Sequence, residues 1–100
     1  MKTGTIVKAP LTSTSARELE ILRCGFTAEV GDNTPQQYDR VPAAIGKDRL
    51  GRLYAIVWWK GRWLGVHHRT LSMVREWEDE SGNLVEGNTK NMIEEAMNHE

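Results

Sequence analysis

Short apolar runs separated by turn-forming and charged residues recur over the middle of this chain, which predicts strands rather than helices there. Residues 53–59 (Leu-Tyr-Ala-Ile-Val-Trp-Trp) form an apolar run too short for a helix of ordinary length. Residues 41–45, 53–59, 62–67 and 71–78 read as consecutive strands, and glycine in two of the three connections makes them an antiparallel meander. Pro42 has no N–H to give a ladder, which places the first of these strands at an edge. Residues 5–9 read as an earlier strand that stops at Pro10, and 26–30 as another.

Two helices are predicted. Ser15-Ala16-Arg17-Glu18 has the spacing of a capping box, Leu19, Ile21 and Leu22 give a narrow apolar stripe, and Gly25 suits the left-handed residue that ends a helix. Near the other end, Asn88 or Thr89 caps a helix whose Met92, Ile93, Ala96 and Met97 define one apolar face. Between the last strand and this helix, residues 78–83 read as a hairpin turn leading to a short strand at Leu84 and Val85. The expected fold is therefore α+β, a single domain over residues 1–100. It is an antiparallel meander of four to six strands with a short N-terminal helix and a C-terminal helix packed on the sheet.

The hairpin around Lys60-Gly61 carries the most information. A two-residue turn pairs Trp59 with Arg62, Trp58 with Trp63, Val57 with Leu64, Ala55 with Val66 and Tyr54 with His67. One face is then aliphatic (Leu53, Ala55, Val57, Leu64, Val66), and the other carries Tyr54, Ile56, Trp58, Trp63 and His67 around Gly65. Lysine disfavours the positive φ such a turn requires, and a three-residue turn would slip the register by one. Trp58 and Trp59 point to opposite sides in either register, so both faces of the sheet are apolar and need covering.

Charge adds an asymmetry that the net value of −1 conceals. Between Arg40 and Arg75 there are eight Lys or Arg against one acid, Asp48, and between Glu76 and Glu100 eight acids against Lys90. The basic stretch can meet a polyanion or an acidic protein, or be neutralised by the chain's own acidic end. The single cysteine, Cys24, forms no internal disulfide, the N-terminal residues lack the apolar stretch of a signal peptide, and no run is long enough to span a bilayer. A cytoplasmic protein without membrane contact is the expectation.

Little of the remaining chemistry has the spacing of a known site. No metal-ligand motif occurs, since adjacent His67 and His68 on a strand face opposite ways. Cys24 is expected near a helix C-terminus, which disfavours a thiolate. Residues 46–52 have glycines without the Gly-Lys-Ser/Thr of a phosphate loop and read as a turn, and Glu76 and Glu78 read as solvated charge. An enzyme on this chain would be a small ribonuclease, with His67 or His68 moving protons and Arg69 steadying phosphate.

The tryptophans admit a structural reading, as core covered by the helices, and a functional one, as a docking platform. The functional reading makes Tyr54, Trp58, Trp63, Arg62, Lys60, His67, Arg69, Arg49 and Arg52 a partner-binding surface. Tryptophan and arginine dominate protein interfaces, which implies a non-enzymatic binding protein docked on a host protein or nucleoprotein complex. In its size, lone cysteine and aromatic basic hairpin beside an acidic end, the chain is similar to small accessory proteins of phages and mobile elements that inhibit a nucleic-acid-handling or defence complex. The alternative is a single-stranded nucleic-acid-binding module, with aromatic stacking and Arg/Lys contacts to phosphate. A third reading makes the acidic segment 76–80 the surface, set against a partner's basic groove. No cofactor is implied.

Overall fold

The computed structural model describes residues 2–12, 15–32, 38–68 and 70–98. In chain order the elements are β1 (Ile6–Pro10), β2 (Ala16–Asp32), β3 (Tyr38–Lys47), β4 (Leu53–Trp59), β5 (Arg62–Gly65), β6 (Leu71–Glu78) and α1 (Asn88–Met97). All strand pairs are antiparallel, in the order β1-β2-β3-β4-β5, with β6 added to β2. An antiparallel sheet with one C-terminal helix agrees with the sequence; the N-terminal helix does not form.

Residues 16–25 are instead the first half of β2, a strand of 17 residues. The alternation that decides this is Glu18 and Glu20 outward with Leu19 and Ile21 wholly buried. Pairing with β1 on one side and β3 on the other supplies long-range hydrogen bonds that the capping-box spacing cannot match. The need for a left-handed residue at Gly25 is real (φ 89°), but it serves a bulge. Between Arg23 and Phe26, β2 advances three residues while β3 advances from Ile45 to Ala43. Such a bulge bends the strand.

That bend divides the interior in two. Before it, Leu19 and Ile21 pack with Ala9, Leu11, Ala44, Tyr54 and Ile56. Beyond it, Phe26, Ala28 and Val30 join Ala43, Ile45, Ala55, Val57, Trp59 and Leu64, together with Val74 and Trp77 of β6 and Ile93 and Ala96 of α1. β3 and β4 thus carry apolar residues on both faces, which explains their nearly unbroken apolar runs. The face expected to need a helix is covered by β1 and the first half of β2. There the sheet curls until β5 lies beside β1, with Gly65 against Leu11 and the Pro10 carbonyl.

The meander holds only as far as β5, because β6 leaves it to pair with β2 (Val30↔Val74, Glu29↔Arg75). β3 is an interior strand, not an edge, yet Pro42 obeys the rule locally. It pairs with Thr27 of β2, and the β4 ladder ends one residue earlier, at Ala43↔Val57. Residues 79–83 form the expected turn, with Asp79 Oδ1 accepting from the N–H groups of Ser81 (2.9 Å) and Asn83 (3.0 Å). Leu84 makes a single bridge to Glu78. The helix α1 buries Ile93 and Ala96 against the sheet, but its N-cap is Gly87, without a side-chain cap from Asn88 or Thr89. No helix among the described residues is long and apolar enough to cross a membrane.

Candidate docking site

Lys60 and Gly61 both have positive φ (51° and 83°), the geometry of a two-residue turn matched to the twist of its strands. This fixes the register as Trp59↔Arg62, Trp58↔Trp63 and Val57↔Leu64. The Trp58 and Trp63 rings meet edge to face, with centroids 5.4 Å apart and planes at 73°. Trp58 is 40% exposed and Trp63 half-buried, whereas Trp59 and Trp77 belong to the core. The hairpin therefore divides its tryptophans between structure and surface.

A groove runs beside the exposed pair, lined by Cys24, Gly25, Thr27 and Pro42 as well as Trp58 and Trp63. Its origin is local. Proline at 42 gives β4 no donor, the β3–β4 ladder stops, and the tip of the hairpin continues as a two-stranded ribbon beside the bulge of β2. Cys24, expected at a helix end, lies at this bulge and is half-buried.

The other residues of the expected surface are dispersed. Arg62 lies on the opposite side of the hairpin from Trp58 and Trp63, and the Lys60 ammonium sits 5.5 Å from the centroid of Trp59. Tyr54 is only 4% exposed, with its hydroxyl donating to Asp48 (3.3 Å), and so offers no face for stacking. Arg52 donates to the same carboxylate (Nε to Oδ2, 3.0 Å), and Arg17 approaches it at 4.0 Å. Arg49 is exposed in this loop, at the other end of β4 from the tryptophan pair, about 20 Å away for a strand of this length. His67 is exposed beside Leu11, Thr12 and Gly65. Arg69 lies outside the described residues.

Asp48 is a buried carboxylate with a structural task. Burial alone would raise its pKa, but hydrogen bonds from the Arg52 backbone and guanidinium and from the Leu50 N–H outweigh this and hold it below the ordinary aspartate value. His68 is the buried basic group. Burial first, and the Arg62 charge second, lower its pKa, so the ring is neutral at pH 7. Its Nδ1 accepts from the Thr70 N–H (3.3 Å) and lies 2.9 Å from the Thr70 hydroxyl. The two histidines are not on a strand, since β5 ends at Gly65. No group of three His, Cys, Asp or Glu among the described residues is placed to hold a metal ion.

Three of the eight basic residues of the stretch, Arg40, Arg52 and Arg75, are answered by acids of the same chain. Arg40 reaches Glu78 (3.2 Å), Glu29 (3.6 Å) and Glu76 (3.9 Å), and also donates to the Thr27 hydroxyl and the Glu76 carbonyl, each at 3.0 Å. Arg75 pairs with Glu29 (3.0 Å) and stacks 4.1 Å above the Tyr38 ring. Glu76 and Glu78 are thus held by Arg40, and a second bulge, with Glu76 at φ 52°, shapes that contact. Sequence reasoning missed Arg40 and Asp48 because their partners are set by cross-strand register and turn geometry, and it missed Pro42 as a groove residue because it depends on where the ladder ends. No family model matches the chain, and no curated protein or solved structure does either.

Proposed function

We propose that this chain is a non-enzymatic binding domain that docks on a protein partner, such as a subunit of a host nucleic-acid-handling or defence complex, through Trp58, Trp63 and the groove beside them. The observation that carries the reading is the Trp58–Trp63 pair, exposed at Trp58 and half-buried at Trp63, in a chain that buries its other two tryptophans. A large aromatic next to an apolar hollow is the usual anchor of a protein interface, and its desolvation on docking is favourable. Lys60 and Arg62 lie at the tip and on the far side of the hairpin, so the contact rests on the tryptophan pair and its groove.

Protein is favoured over nucleic acid by the use of the cations. Arg40, Arg52 and Arg75 are engaged by carboxylates of the chain itself, and Tyr54 is buried, which removes both phosphate contacts and a stacking ring from the alternative module. Tryptophan fluorescence titrated with single- and double-stranded oligonucleotides at two salt concentrations tests this choice. The expected outcome is an emission spectrum that does not respond. Quenching that weakens steeply with salt would instead assign the tryptophan pair to single-stranded nucleic acid.

A further inference from the structure

β6 has one edge paired with β2 and a second edge that the chain covers only in part. At the C-terminal end of that second edge, Leu84 bridges Glu78 and the Val85 N–H donates to the Trp77 carbonyl (3.2 Å). From Leu71 to Arg75, no strand among the described residues pairs with it. The protections usual at sheet edges are limited to the end of the strand, where Glu76 forms a bulge and Arg40 gathers Glu76 and Glu78. Met73, within the open stretch, is 46% exposed.

Beside this edge lies a groove between β6 and α1. Val74, Trp77, Val85, Ile93 and Met97 make its apolar lining, and Leu84, 64% exposed, stands at its side. Its charged border is acidic on balance. Arg75 is drawn away to Glu29 and Tyr38, and Glu76 shares Arg40, which leaves Glu86 and Glu94 with Lys90. A second copy of this chain would bring the same acids against them, an unfavourable pairing.

We propose that the open edge of β6 takes an extended segment of a partner protein as an added strand, with alternate apolar side chains entering the groove and lysine or arginine facing Glu86 and Glu94. Backbone hydrogen bonds to residues 72–75 supply affinity that is independent of the peptide's sequence, and the period of two in the added strand delivers every second side chain to the groove. The Leu71 N–H already donates to the His68 carbonyl (2.9 Å) and Glu76 forms a bulge, which limits the added ladder to about four residues, a short strand. This site is separate from the Trp58–Trp63 groove and does not depend on it.

The probe is a display library of short random linear peptides, selected on the intact protein and on the Trp58→Ala variant, with the enriched peptides mapped by amide NMR and hydrogen exchange. The expected result is enrichment of alternating apolar and basic residues on both proteins, with new protection among residues 72–75. A Glu86→Lys/Glu94→Lys variant should weaken the selected peptides by about tenfold or more while leaving its own thermal unfolding unchanged. Failure to enrich any peptide, peptides that protect other residues, affinity that is indifferent to the charge reversal, or protection of the same amides by self-association alone would each overturn the proposal.

Discussion

Gly65 of β5 and Leu11 pack so closely that a Cβ placed on Gly65 would lie 2.9 Å from the Leu11 Cα and 2.8 Å from its Cδ2. Two of the three nearest atoms are backbone (the Pro10 carbonyl oxygen lies at 3.3 Å), so moving the Leu11 side chain alone cannot make room, and this contact is where the curled sheet brings β5 beside β1. Gly65→Ala should therefore push the two strands apart and cost about 2–3 kcal/mol. Gly61→Ala is the control, because nothing lies within 4 Å of its Cβ and only the left-handed backbone (φ 83°) is penalised, by about 1 kcal/mol. Urea unfolding of both variants checks the order; equal losses would mean that the contact is not tight.

Lys60 occupies a backbone region suited to Asn or Gly. Lys60→Asn relieves part of a penalty of about 1–2 kcal/mol and forfeits an exposed cation–π contact of about 0.5 kcal/mol. Relief outweighs loss, so the melting temperature should rise by a few degrees. A fall would mean that the contact with Trp59 outweighs the turn strain.

Two buried groups give stability a pH dependence in separate windows. The His68 pKa is lowered from 6.5 by burial and then by Arg62, so the unfolded chain takes up the proton first and stability falls as pH drops below about 6.5. Asp48 is lowered from 3.8: against burial, the Arg52 and Leu50 hydrogen bonds prevail, so its contribution is complete above that value and is lost as pH falls through the lower folded pKa. The urea midpoint measured from pH 8 to pH 3 should show both declines. His68→Gln should flatten the first and Asp48→Asn the second; unchanged slopes would remove these groups as the cause.

The parts of the fold that were legible in the sequence were those decided by neighbouring residues. The Lys60-Gly61 turn set its register from two positions, and the alternation around it placed Ala55, Val57 and Leu64 on one face and Trp58 and Trp63 on the other. β2 was not legible, because Leu19 and Leu22 also satisfy a helical period and only β1 and β3 decide between the two. Gly25 shows the difference most plainly: its backbone requirement could be read from the sequence, but the element it belonged to could not. Of the candidate site, the pairing of Trp58 with Trp63 followed from the turn but the exposure of Trp58 did not, and the inward fate of Tyr54 and the engagement of Arg52 depended on Asp48 in the preceding loop.

Arg40 joins β2, β3 and β6 through its contacts with Thr27, Glu29, Glu76 and Glu78. Each exposed pair alone is worth little, but the network also satisfies the carbonyl of the strained Glu76. Arg40→Ala should cost about 1–2 kcal/mol, and hydrogen exchange should quicken at β6 before the rest of the sheet. A uniform quickening would mean that β6 does not open separately.

Docking through Trp58 and Trp63 is tested most directly by quantitative affinity capture from host lysate with the wild-type chain and with Trp58→Ala. Trp58 is 40% exposed, so its truncation should leave the thermal unfolding temperature within a few degrees of wild type. The expected result is a protein partner retained by the wild type and lost by the folded variant. Partners retained equally by both, with the variant still folded, would contradict docking through this tryptophan pair.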